Sequence, residues 1–350
     1  MKKMIATIYA VICTLLLVAG FLLVFGFAWQ AGTWFTVEAI IGFAISFALA
    51  PIIHELGHVI FALCSKMDYV YVKCFCIKIY LKDGKKRFAL ALPFASDETQ
   101  VLPKCGGNIK KRAVRYTVGG LVFSGVYLVI ILTAALICAA FGKWQFSLWS
   151  LLPYTAYLFL LNALPFEYAS GKTDALVYRG IKKEYGAEKN MLAAMEIQGQ
   201  LYEGKRFSEI DENYYFDVPQ LCEDEPLFAV MLDLRYRYYL DKGDFEKAAE
   251  CLNRLASLQS YLPDAEVERI AAELTYMHVM NGDIERANEC AKLCEKYLQG
   301  NSATAKRVLL AYSKAVGNTD AIENIKKQAR EALNRERIVG VRLLEEKLIF

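Results

Sequence analysis

ALAPIIHELGHVIFAL, from Ala48 to Leu63, is the stretch on which the reading of the whole chain turns. It is apolar enough to be buried in lipid, yet it carries His54, Glu55 and His58. Ionisable groups at membrane depth are costly, so their presence marks function. His54-Glu55-Leu56-Gly57-His58 is an HExxH motif. On a helix its two histidines fall one turn apart on one face, where both imidazoles can reach a single zinc ion. Glu55, beside them, is placed to take a proton from water at the metal. The chain has only 3 histidines. The third, His278, lies far along the sequence and reads as a surface or packing residue.

The flanking sequence supplies a membrane setting. No charged residue interrupts Met4 to Val37, a run long enough to cross about 30 Å of hydrocarbon as a helix. Its apolar core is too long for a cleaved signal peptide and no small-x-small site follows, so it reads as a retained anchor. Further apolar runs cover Thr36 to Cys64, Tyr116 to Gly142, and Trp144 to Phe166, the last containing Pro153. The expectation is four spans. Lysine and arginine crowd the connection from Lys66 to Arg115, whereas Ala28 to Val37 has none and only Lys143 separates the third and fourth runs. By the positive-inside rule that basic loop and both termini are cytoplasmic.

This topology predicts where a third ligand arises. A hydrolytic zinc site takes three protein ligands and keeps one position open. The second span brings HELGH to its cytoplasmic end, and the fourth returns to the same side, ending in LLNALPFEYASGKTDALVYRG. Asn162, Pro165 and Asp174 therefore arrive at the same depth. Asp174 is the expected third ligand, with Glu167 as the alternative. Within the basic loop, MDYVYVKCFCIKIYLKDGKKRFALALPFA has alternating β-rich runs about Lys82-Asp83-Gly84-Lys85. That pattern predicts a hairpin over about residues 68–95, either an edge for strand addition by an unwound substrate or a cover packed on the membrane face.

The second half differs. YEGKRFSEI, DKGDFEKAA, MNGDIERAN and AVGNTDAIE place glycines at positions 204, 243, 282 and 317. Each sits between an apolar-aromatic helix and a second helix that starts near an acidic residue. The spacing is similar to that of tetratricopeptide-type helical hairpins, which must stack to bury their apolar faces. Such a domain, over residues 186–350, reads as a groove for a cytoplasmic protein or peptide partner, the alternative being a rigid cap that stabilises the membrane part. Tyr214-Tyr215-Phe216 and Tyr236, Tyr238 and Tyr239 read either as the lining of its groove or as inter-helix core. A net charge of +3 and the lack of any basic tract argue against a nucleic-acid partner. The 10 scattered cysteines form no paired framework and read as free thiols of a reducing compartment.

Taken together, HExxH on one membrane segment and Asn162-x-x-Pro165 followed by Asp174 on a later one resemble the site-2 protease family of intramembrane zinc metalloproteases. The resemblance covers roughly Thr36 to Gly180. It implies one zinc ion (Zn2+) per chain held by His54, His58 and Asp174, Glu55 as catalytic base, and Asn162 as a substrate contact. It also implies a multi-pass protein of a bacterial cell membrane, cutting a membrane-protein or membrane-peptide substrate embedded in the lipid bilayer. Ala175 stands where the family has glycine, and the interval from Asn162 to Asp174 is longer than in the compact motif. Gly119-Gly120 with Ser124 is similar to the family's small-residue motif that faces the active site, but small residues there more often serve helix packing and are read so here. The fold expected is mostly α: four membrane helices with a cytoplasmic hairpin in residues 1–180, then the helical repeats. The competing functions are a non-catalytic membrane scaffold with a degenerate zinc site, and a prenyl-protein protease with a glutamate as third ligand.

Overall fold

The computed structural model describes residues 2–74, 76–82, 85–90, 98–168 and 171–350. The chain is mostly helical, with fifteen α-helices among the described residues, and its contacts divide it into two units. The first unit comprises Met1–Leu102 and Asn108–Tyr185, and the second Pro103–Gly107 and Gly186–Phe350.

In the first unit, α1 (Lys2–Ala31) and α2 (Thr33–Cys64) are separated at Gly32, whose φ of 129° only glycine adopts readily. The uncharged run expected to end at Val37 is therefore broken five residues earlier, and Thr33–Val37 opens α2. Four strands follow: β1 (Met67–Cys74), β2 (Ile77–Lys82), β3 (Lys85–Leu90) and β4 (Glu98–Pro103), in sheet order β3-β2-β1-β4. The β2–β3 pairing sets Ile79 opposite Phe88 and Lys82 opposite Lys85, which is a hairpin. Asp83 and Gly84 at its expected turn, and positions 91–95 at the end of the expected region, lie outside the described residues. Helix α3 (Ile109–Ala140) begins seven residues before the apolar run, because Lys110, Lys111, Arg112 and Arg115 are good helix formers and extend it. Helix α4 (Phe146–Ala163) contains Pro153 and occupies the middle of the run expected at 144–166. After it come β5 (Glu167–Tyr168), β6 (Gly171–Lys172) and α5 (Asp174–Lys183).

Helices α1, α2 and α3 are long and apolar enough to cross a membrane. In their packing, large side chains face out and small ones face in. On α2, Ile40, Ile41 and Ile45 are exposed while Ala39, Gly42, Ser46 and Ala50 are buried. Lipid tails give no hydrophobic reward for burying isoleucine, so small residues that permit close backbone approach decide the interface. Gly57 and Gly119 are the tightest crossing. A Cβ on Gly57 would lie 2.8 Å from the Gly119 carbonyl carbon, and one on Gly119 would lie 2.9 Å from that of Gly57.

The second unit is built of helices α6 (Gly186–Glu203), α7 (Asn213–Phe216), α8 (Pro226–Lys242), α9 (Phe245–Ala256), α10 (Asp264–Met280), α11 (Ile284–Leu293), α12 (Glu295–Leu298), α13 (Ala303–Ala315), α14 (Ile322–Arg335) and α15 (Val339–Ile349). Helix α8 packs on α9, α10 on α11 and α13 on α14. The glycines singled out in the sequence end the first helix of each pair: Gly243, Gly282 and Gly317 have φ of 77°, 75° and 75°. Asp244 and Asp283 then cap the second helices, accepting from the Lys247 and Arg286 amides. Tyr215, Tyr236 and Tyr238 are buried, so this part of the aromatic cluster is core, whereas Phe216 is exposed.

Candidate metal centre

Helical spacing alone puts His54 and His58 on one face of α2, and both are buried with Glu55 between them. What holds each imidazole comes from α3. His58 Nδ1 lies 2.9 Å from the Tyr116 carbonyl oxygen. That oxygen can only accept, so Nδ1 carries a proton, and the neutral ring, the form that binds a metal, presents the Nε2 lone pair. His54 Nδ1 lies 2.9 Å from Ser124 Oγ. With the hydroxyl accepting, His54 takes the same tautomer as His58.

Asp174 joins them from the first turn of α5. Thr173 fixes where that helix starts, its hydroxyl accepting from the Leu176 amide at 3.3 Å and donating to the Leu164 carbonyl at 2.7 Å. Asp174 Oδ2 then lies 3.2 Å from His54 Nε2 and 3.4 Å from His58 Nε2, and the two Nε2 atoms are 3.3 Å apart. The ligand atoms of the three residues all lie within 4.8 Å of one another, and Asp174 Oδ2 is buried without a hydrogen-bond partner.

The donor set fits a metal. Two imidazole nitrogens and one carboxylate oxygen converge, and lone pairs brought this close repel unless a cation lies among them. Space is kept for it by Gly120, where a Cβ would lie 2.7 Å from His54 Cε1 and 2.8 Å from its Nε2. The three residues open on a cavity of about 460 Å³ that Glu55, Thr99, Tyr116 and Asn162 also line.

Asn162 is on that wall with its amide nitrogen donating at 3.2 Å to the Leu158 carbonyl of its own helix. Glu167 is exposed on β5 and is not one of the three clustered groups. His278 belongs to the second unit, 4.0 Å from Asp283. The small residues of α3 divide their roles. Gly119 serves packing, as expected, whereas Gly120 and Ser124 meet the histidines. That assignment corrects the packing role read for them, and its reason is register: Gly120, next to Gly119, and Ser124, just over a turn further on, lie on the α3 face turned toward the histidines.

Two participants, the Tyr116 carbonyl and Thr99, had no signal in the sequence, whereas Ser124 belongs to the small-residue motif already singled out. Ser124 and the Tyr116 carbonyl act on α2 from another helix. Thr99, from β4, donates its hydroxyl to Glu55 Oε2, and Tyr116 Oη donates to the Thr99 carbonyl. No spacing rule relates these positions, because only the packing of separate elements brings them together.

No protein-family model matches the chain, and neither a search of curated proteins nor one of solved structures finds a match.

Proposed function

We propose that the chain is an intramembrane zinc metalloprotease of the site-2 protease type, hydrolysing a peptide bond in a membrane segment near its cytoplasmic face. One observation carries this reading: two oriented imidazoles and a buried carboxylate aim lone pairs at one point, with a glutamate beside them in the same cavity. His54, His58 and Asp174 would hold a zinc ion there, which would supply the Lewis acidity that lets water ionise near neutral pH. Glu55 takes the proton that the attacking water gives up and delivers it to the leaving amine. Asn162 contacts the substrate from the cavity wall. A substrate helix must first unwind there, since its carbonyls are tied up in its own hydrogen bonds.

The remaining parts of the proposal follow the same architecture. Helix α4 is the fourth span, so the chain is multi-pass, bacterial in type, with both termini and the basic loop cytoplasmic. The helix pairs of the second unit are tetratricopeptide-like repeats that bind a cytoplasmic protein or peptide. Support comes from the left-handed glycine and aspartate cap shared by α8–α9 and α10–α11. The substrate is a regulatory membrane protein, a signal-peptide remnant or a peptide precursor.

The test is metal content in detergent-purified protein. About one zinc per chain is expected in the parent and in Glu55→Gln, with loss from Asp174→Ala. Cells carrying Glu55→Gln should accumulate an uncut membrane protein that crosslinks to it. A folded parent that takes up no zinc would instead favour the scaffold reading, and loss of zinc from Glu167→Ala alone would favour the prenyl-protein protease.

A further inference from the structure

Strand β4 is the outermost strand in the order β3-β2-β1-β4 on the side of β1, and it reaches into the metal cavity. Thr99 is buried there and makes two contacts of opposite kinds. Its hydroxyl donates to the Glu55 carboxylate, and its main-chain carbonyl accepts from the Tyr116 hydroxyl. The base is thus capped by a side chain, and next to that cap a hydroxyl donor holds a backbone carbonyl of an extended strand. These are the demands a peptide substrate makes: an extended backbone beside the base, with a carbonyl held by a donor.

We infer that β4 is a resident stand-in for the substrate, and that Tyr116 is a substrate-binding residue whose hydroxyl passes from the Thr99 carbonyl to a substrate carbonyl when β4 moves away. The inference rests on the proteolytic reading and adds to it a binding residue and a resting state. Thr99 donates to Glu55 Oε2, so in the resting enzyme that oxygen is engaged by β4 rather than by water. A substrate gains entry by exchanging one strand for another. Main-chain hydrogen bonds given up by β4 are remade by the incoming peptide, which favours a substrate unwound over several residues and is indifferent to most of its side chains.

The test uses full-length, zinc-loaded protein in detergent and two probes, neither of which is turnover. The first is the rate at which 1,10-phenanthroline strips zinc. The second is the affinity of a Leu-Ala peptidyl hydroxamate, which offers an extended backbone together with a metal-binding head. Thr99→Val keeps the shape of the side chain and deletes the hydroxyl. It should speed stripping by roughly tenfold and tighten the hydroxamate by a similar factor, as expected when a hydrogen bond to a charged group is removed from the closed state. Tyr116→Phe also frees β4 and should speed stripping. It removes the donor the peptide needs, so the hydroxamate should bind roughly tenfold more weakly than it does to Thr99→Val. A purely structural role would move both probes the same way in both variants. Stripping and affinity unchanged in Thr99→Val, or a hydroxamate held as tightly by Tyr116→Phe as by Thr99→Val, would overturn the inference and leave the zinc site standing. A parent that takes up no zinc would remove both readings.

Discussion

The Arg307 cluster of the second unit holds its own counter-charges, whereas in the first unit His54, His58 and Asp174 bring two imidazoles and a carboxylate to one point. In the second unit, Arg307 Nε and Nη2 each lie 2.7 Å from a carboxylate oxygen, of Glu345 and Glu273 respectively. Thr304 donates to Glu345 at 2.6 Å and Tyr236 to Glu273 at 2.7 Å. Asp233 is held in the same manner by Arg237 and Arg269, both at 2.9 Å. Donors and acceptors are matched in kind, and one Arg307 nitrogen, Nη1, is left over. In the first unit His54, His58 and Asp174 bring three acceptors together. A buried charge needs a partner. A cluster that contains its own partners is part of the scaffold, and one that lacks them is built for a partner from outside.

The largest expected effect breaks the comparison if it fails. Arg307→Met strands Glu273 and Glu345 and should destabilise the second unit by about 3–5 kcal/mol. Asp174→Asn should leave the zinc-free first unit as stable as before or more so, since an amide offers donors to the two lone pairs. Hydrogen exchange of α10 and of α2 in detergent measures each change in place. Equal losses in the two units would mean that both clusters are structural.

Ser124→Ala sharpens the comparison at smaller amplitude. Losing the group that orients His54 should weaken zinc by about 10–100-fold, read by competition with a chelator. Ser124→Thr should recover most of that. An unchanged affinity would show that packing alone orients the ring.

The smallest effect concerns pH and the second unit. Burial raises the Asp233 carboxyl, but Arg237 and Arg269 outweigh it and bring the group from 3.8 to about 2. Because the folded value lies below the unfolded one, the unfolded chain takes up the proton first as pH falls. The stabilisation is complete above about pH 4 and drains away toward pH 2, on the order of 1–2 kcal/mol after allowing for partial exposure. Denaturant titrations across that range should show the loss, and Asp233→Asn should flatten it.

The readable parts of the site are those whose geometry is local. His54 and His58 are four residues apart, and helix pitch alone superimposes them. Asp174 needed one more step, the direction in which the second and fourth apolar runs travel. Ser124 read as a packing residue, although the resemblance set its motif toward the active site, because small residues on a membrane helix more often serve packing. Thr99 sits in a strand with no motif at all, and its contact with Glu55 depends on where the sheet meets α2. The helix ends follow the same rule. Gly243 and Gly282 announced their turns through the residue type, whereas Gly32 did not, being embedded in an uncharged run that continues on both sides.

The amino-acid sequence by itself determined the apolar helices, the HExxH pair, the hairpin about positions 82–85 and the glycine-punctuated helix pairs, because each is set by interactions between residues near in the chain. Only the tertiary structure decided that Ser124 and the Tyr116 carbonyl orient the histidines, that Gly120 clears the space beside them, and that Thr99 caps the base. Those contacts depend on helix register, crossing distance and strand placement. These are set by packing over the whole unit, where a shift of one residue turns a side chain from the cavity to the outer surface.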